Sequence, residues 1–169
     1  NLFRFDVPLR PGADRVYFAA HYPYPAARVL ERAVKLAKNP LVRSIELLGR
    51  SERERPITLM TVTDPNTPDR QKKAVLLTAG DHGGETAGAW GLEGSIDFLL
   101  SDDATAKALR RKHVFYIIPL VNVDGYAIGL DRRQATGVNI YFDFPKFESR
   151  EARGVWKLAK EIKYADIAK

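Results

Sequence analysis

His82 and Glu85 stand three residues apart in the stretch Ala79-Gly80-Asp81-His82-Gly83-Gly84-Glu85-Thr86. An imidazole nitrogen and a carboxylate oxygen are both ordinary zinc ligands, and a catalytic zinc takes three protein ligands and a water. This stretch supplies two of them. The apolar run Ala74–Thr78 before it reads as a buried strand, and Ala87–Glu93 after it as the start of a helix. Strand-end turns are where α/β folds place chemistry. The pair is therefore expected at the C-terminal end of a central strand, with Glu85 in the first helical turn and both side chains facing one open cleft. Gly80, Gly83 and Gly84 permit the tight turn and close backbone approach that such a site needs. Spacing alone leaves another reading open, because a glutamate in a first helical turn is favoured by the helix dipole with no metal at all.

The chain has 169 residues, 45% of them apolar and 10% aromatic, which is enough for one globular domain with a sizeable core. No run has the length of a membrane span, and no charged-then-apolar leader opens the sequence. There is no cysteine, so disulfides and thiolate metal sites are excluded, and a cytoplasmic setting is expected. The formal charge of +6 is scattered over Arg50–Arg55, Arg70–Lys73 and Lys107–Lys112. Solvated faces and helix ends account for it without an acidic partner, and neither nucleic acid nor a membrane is expected to bind.

The elements that must position the pair follow from periodicity and turn chemistry. A helix is expected over Ala26–Lys38, begun by Pro25 and stopped by Asn39-Pro40. Val42–Leu48 and Pro56–Val62 read as a hairpin around the polar turn Gly49–Arg55. Helices are expected over Thr86–Ser101 and Asp103–Lys112, the second ending in basic residues that suit a helix C-terminus. Val114–Val121 reads as a strand covered on both faces, followed by a turn at Asn122-Val123-Asp124-Gly125 and a polar loop over Gly129–Val138. Asn139–Phe144 is expected to be extended, and Phe147–Lys163 a closing helix. Ahead of these, Phe3–Val7 and Arg15–Ala19 are short alternating pieces. Strands alternating with helices indicate an α/β layered sheet.

With these motifs placed, the chain resembles the zinc carboxypeptidases, most of all their cytosolic carboxypeptidase branch, from about Tyr17 to Lys163. Tyr22-Pro23-Tyr24-Pro25, Gly80–Gly88 with its His-x-x-Glu, Trp90–Leu100, Pro119–Gly125 with its Asn-x-Asp-Gly, and Arg132–Phe144 carry the resemblance. It implies a mixed central sheet flanked by helices and incomplete at its C-terminus, with residues 1–20 as the tail of a preceding β-sandwich-like domain and 21–169 as the N-terminal part of a catalytic domain. It implies Zn2+ held by His82 and Glu85, and an arginine after the Asn-x-Asp-Gly turn that polarises the scissile carbonyl and stabilises the oxyanion. That role falls on Arg132, with Arg133 as the fallback. The substrate would be a peptide or protein C-terminus, met by Arg132, Arg133 and Tyr141. The family's third zinc ligand, a histidine, and its general base fall beyond Lys169; His21 and His113 read as packed or strand-end histidines. The resemblance therefore implies that this chain alone neither holds zinc tightly nor hydrolyses peptides, and that an uncovered sheet edge leaves it open to self-association.

The family's Asp-Leu-Asn-Arg segment, whose Asn and Arg hold the substrate's terminal carboxylate, aligns with Asn139-Ile140-Tyr141-Phe142. Two aromatic rings replace that polar pair and remove its bidentate recognition. Tyr141 and Phe142 are expected to line the cleft with apolar surface or to turn into the core. Two other functions stand beside the peptidase: a binding module that keeps the fold without catalysis, and an N-acyl amino acid hydrolase of the same superfamily.

Overall fold

A computed structural model describes residues 6 and 8–162. The alternating piece Phe3–Val7, apart from Asp6, and the end of the chain from Lys163 onward lie outside the described residues. Arg15–Ala19 forms no strand and is exposed.

Four strands form one mixed sheet in the order β1-β2-β4-β3. Strands β1 (Val42–Arg50) and β2 (Pro56–Val62) pair antiparallel as the sequence indicates. Strand β4 (His113–Ile118) lies antiparallel to β2 and parallel to β3 (Lys73–Thr78). Period-two sorting decides which side chains go where. On β2, Ile57 and Leu59 enter one core cluster while Met60 and Val62 enter the other; on β4, Ile118 and Phe115 with Ile117 divide likewise. Strand β4 is thus covered on both faces. The expectation that β3 is a buried, central strand is corrected: it is an edge strand of the described sheet, and its inner residues are only half-buried.

The helices cover both faces. Helix α1 (Ala27–Leu36) and helix α6 (Arg150–Glu161) bring Val29, Val155 and Leu158 to the first cluster, and helix α2 (Thr86–Leu99) brings Leu92, Ile96 and Leu99 to the second. Helix α3 (Ala104–Lys112) is capped by Asp103, whose carboxylate accepts from the N–H groups of Thr105 and Ala106. Two expectations fail locally. The turn at Asn122–Gly125 is the start of helix α4 (Val123–Ile128), because the Asn122 side chain caps it by accepting from Gly125 N. The segment expected to be extended over Asn139–Phe144 is a short helix, α5 (Ile140–Asp143), likewise capped by Asn139. Asparagine supplied the helix starts that period alone hid. Helix α6 begins at Arg150 rather than Phe147, since Phe147 has a φ of 57° and Ser149 is the cap. Among the described residues no helix is long and apolar enough to cross a membrane.

Helices α1 and α2 are clasped by charge. The Arg28 guanidinium donates to both carboxylate oxygens of Glu93, at 2.8 and 2.7 Å, and lies over the Trp90 ring. This bidentate hydrogen bond holds the Glu93 carboxyl below its usual range. A depressed folded-state value adds stability that is present in full above the ordinary glutamate range, about pH 4–5, and lost as pH falls through the lower folded value. Glu93→Gln is expected to melt below the parent protein at pH 7, with the gap closing toward pH 3. Thermal denaturation at the two pH values measures it, and a gap that does not change with pH would show that Glu93 acts through its shape alone.

Candidate metal centre

The turn between β3 and α2 is pinned on its backbone side before any functional group is placed. Val121 N donates to Ala79 O at 2.9 Å and Asn122 N to Gly80 O at 2.9 Å, so the exit of β4 runs alongside the exit of β3. The Asn122 carboxamide, fully buried, donates to Asp81 O at 3.1 Å and Arg133 O at 3.2 Å while its oxygen caps α4. Glycine makes the approach possible. Gly80 has a φ of 75°, and a Cβ on Gly83 would lie 2.2 Å from Leu130 O and 2.7 Å from Gly125 C. The His82 turn therefore packs directly on the backbone of the loop after α4.

That packing gathers Asp81, His82 and Glu85 from one segment with Arg132, Asn139, Tyr141 and Phe142 from another around a cavity of about 350 Å³. Glu85 is the N-cap residue of α2 rather than part of its first turn. Its Oε1 stands 3.1 Å from His82 Nδ1, and the opposite ring nitrogen, Nε2, is 2.9 Å from Asn139 Oδ1. Asn139 Oδ1 also accepts from Tyr141 N at 3.1 Å, so it is the carboxamide oxygen that faces the imidazole and Nε2 that carries the proton. In a neutral ring Nδ1 then presents a lone pair to an anionic oxygen. Two electron-rich atoms in that position call for a cation between them, either a proton or a metal ion. Two ligands of one tetrahedral zinc, each about 2.0–2.2 Å from it, stand roughly 3.3–3.6 Å apart, so a small relaxation of the 3.1 Å spacing suits zinc. A further sign is the Asp81 Oδ1 atom beside this pair, which is buried without a hydrogen-bond partner. Among the described residues no group of three or more His, Cys, Asp and Glu side chains is placed to hold a metal.

Electrostatics match the geometry. Burial opposes charge on His82, but the hydrogen bonds to Asn139 and Glu85 and the neighbouring carboxylates outweigh it and raise the imidazole above its usual range. Burial, with the Glu85 charge, pushes the Asp81 carboxyl up against the opposing effect of His82. The Tyr126 hydroxyl, which donates to Glu85 O at 3.0 Å, is pushed up to about 12, by burial first and then by Glu85 and Asp81. It is a fixed donor at neutral pH.

Of the residues singled out in the sequence, His82, Glu85, Arg132, Tyr141 and Phe142 line this cavity. Arg132 is mostly exposed at the rim. Arg133 does not join them: it donates to Gly137 O at 2.6 Å and lines a neighbouring cavity that shares Asn139 and Phe142 with the first. His21 is exposed ahead of α1, and His113 bonds Leu109 O at 3.0 Å at the opposite end of β4; neither lines the cavity. Sequence reasoning missed Asn139 and Asp81. The signal for Asn139 was an asparagine just before a short apolar stretch, a capping position; Asp81 offered only adjacency to His82.

Comparison with known proteins gives a consistent picture. The family model described as zinc carboxypeptidase matches residues 31–155. Cytosolic carboxypeptidase 3 of Bos taurus is 32% identical over 149 residues, 85% of this chain and 15% of that protein. Cytosolic carboxypeptidase 2 of Homo sapiens is 31% identical over 156 residues, 89% of this chain and 17% of that protein. The chain thus spans about a sixth of the length of these relatives. Among solved structures, a metallo-carboxypeptidase from Burkholderia cenocepacia superposes with a TM-score of 0.75 at 29% identity, covering 83% of this chain and 39% of that one. Carboxypeptidase A of Helicoverpa armigera, at 20% identity and a TM-score of 0.73 over 83% of this chain and 43% of its own, has the same fold.

The two adjacent glycines of the turn are not equivalent. An added Cβ on Gly83 meets fixed backbone, whereas on Gly84 the nearest atom is Asp131 Oδ1, 2.3 Å away at the end of an exposed side chain that can swing aside. Gly83→Ala is expected to cost about 3 kcal/mol of stability and Gly84→Ala under about 1 kcal/mol. Urea denaturation of both variants checks this, and equal losses would contradict the packing of the turn.

Proposed function

The chain belongs to the zinc carboxypeptidase family, and we propose that it forms part of the catalytic domain of a zinc-dependent metallocarboxypeptidase that removes C-terminal residues from peptides or protein tails. The observation that carries this reading is the convergence of His82 Nδ1 and Glu85 Oε1 in a cavity with Arg132 at its rim. His82 and Glu85 would hold the zinc, which when bound supplies a Lewis acid and an activated water. Asn139 fixes the imidazole by accepting its Nε2 proton, so that Nδ1 is the nitrogen offered to the metal. The Arg132 guanidinium, charged at any working pH, faces the carbonyl on which negative charge develops, and stabilises that charge more than the neutral ground state. Tyr141 contacts the substrate beside the scissile bond. Arg133, held to Gly137 O, contributes positive charge to the adjoining cavity. The names of the relatives include the word cytosolic, and we place this protein in the cytoplasm with them.

A binding module that keeps the fold without turnover is the second reading, favoured by the exposed rings of Tyr141 and Phe142 in the cavity lining. Calorimetric zinc titration separates the metal question from the activity question. His82→Ala or Glu85→Ala is expected to weaken zinc binding at least about tenfold, and Asn139→Leu about 10–100-fold. Zinc binding untouched by both ligand substitutions would overturn the metal centre. Release of C-terminal amino acids from a peptide panel, lost in Arg132→Ala with zinc still bound, supports the peptidase; zinc binding without any such release supports the binding module. Hydrolysis of N-acyl amino acids in place of peptides would move the protein to the acylase side of the superfamily.

A further inference from the structure

Helix α5 has only the residues Ile140–Asp143, and its two ends point inward. Ile140 is fully buried in the first core cluster. Asp143 is buried as well, accepting from Glu148 N, Ser149 N and Ser149 Oγ at 2.8, 2.8 and 2.6 Å. With positions one and four of a single turn anchored inside, the two between them must face out. Those are Tyr141 and Phe142, which are 62% and 67% exposed, a large apolar area to leave in water. Their rings are not splayed: they meet edge to face at 5.2 Å between centroids, an ordered arrangement. The Tyr141 ring is also 6.4 Å from the His82 imidazole. Asn139 couples the rings to the metal pair, since one oxygen accepts from both Tyr141 N and His82 Nε2. An aromatic ledge is thus fixed at a set distance from the reacting position.

We propose that Tyr141 and Phe142 determine specificity, taking an aromatic or bulky apolar group of the substrate next to the scissile carbonyl, in place of a clamp on a carboxylate. This deepens, and rests on, the reading of the cavity as a zinc carboxypeptidase site. The chemistry is that of two aromatic rings forming one apolar surface in a cavity otherwise lined by polar side chains. The rings can stack on a ring or cover a branched aliphatic chain. The rings themselves offer no cation to a second carboxylate; Arg132, at the rim of the same cavity, is assigned to the scissile carbonyl, and Arg133 and Lys146 line the adjoining cavity.

The test uses simple carboxylates as probes, so that it needs no turnover. Affinities of the protein for 3-phenylpropionate, propionate and glutarate are measured by NMR titration at a fixed zinc concentration above its zinc dissociation constant. The proposal expects 3-phenylpropionate to bind about tenfold or more tighter than either of the others. It also expects Tyr141→Ala and Phe142→Ala each to erode that preference while melting temperature and zinc affinity stay at parent values. The double variant Y141N/F142R is expected to reverse the order in favour of glutarate. Equal affinities in the parent protein, no detectable binding of 3-phenylpropionate at millimolar concentration, or a preference that survives both alanine variants would overturn the ledge and leave the zinc reading standing. Loss of zinc binding in His82→Ala addresses that reading separately.

Discussion

The buried carboxamide of Asn122 holds the candidate site together. Its oxygen closes the first turn of α4, and its nitrogen reaches the His82 turn through Asp81 O and the arginine loop through Arg133 O. Gly125 N is buried and would otherwise be left unsatisfied away from water, at about 1–3 kcal/mol, while the two carbonyls are part-buried. One side chain with one acceptor and one amino group thus fixes three separate segments. No apolar residue could do so, because dispersion contacts carry no direction.

Other buried polar groups extend the same logic outward. Asp124, in the first turn of α4, is fully buried and accepts from Ser51 Oγ, Arg53 N and Arg55 Nη1, which ties the turn between β1 and β2 to the helix. Asp143 joins α5 to the cap of α6. A charge taken out of water is costly unless each lone pair finds a donor; Asp124 takes its donors from a distant part of the chain and Asp143 from the segment just after α5. The loops that carry His82, Arg132 and Tyr141 therefore sit on polar anchors, while the two apolar clusters hold the sheet and helices beneath them.

The cavity concentrates charge with a purpose. Asp81, His82 and Glu85 line it with the exposed Arg132 and the rings of Tyr141 and Phe142, Tyr141 lying 6.4 Å from the His82 imidazole. Carboxylates beside an imidazole favour a cation, and a guanidinium at the rim favours developing negative charge. These two demands together suit the carbonyl polarisation beside a metal that we propose. In the proposed specificity the rings select what lies next to that carbonyl, and the turn of α5 that presents them is fixed by Ile140 and Asp143 rather than by the rings themselves.

Much of this was legible in the sequence by itself. The hairpin, helices α1, α2 and α3, and the doubly covered strand β4 all follow from apolar period and from proline, glycine and charge at the ends, which are local properties. The His82 and Glu85 pair was legible because residue type and spacing limit the chemistry, and the glycines around it because only they tolerate such close approach. What the sequence hid was decided by contacts between distant residues. Helices α4 and α5 are too short for a period to register and exist because Asn122 and Asn139 cap them. Strand β3 reads as buried from its apolar run, yet its place at the edge depends on which strands pair. Asn139 as the partner of His82, and Arg133 in a different cavity from Arg132, follow from how the loop after α4 folds over the turn after β3. That fold is set above all by the Asn122 bond to Asp81 O and by the backbone contact of Gly83 with Leu130 and Gly125, interactions spanning tens of residues that no local pattern encodes.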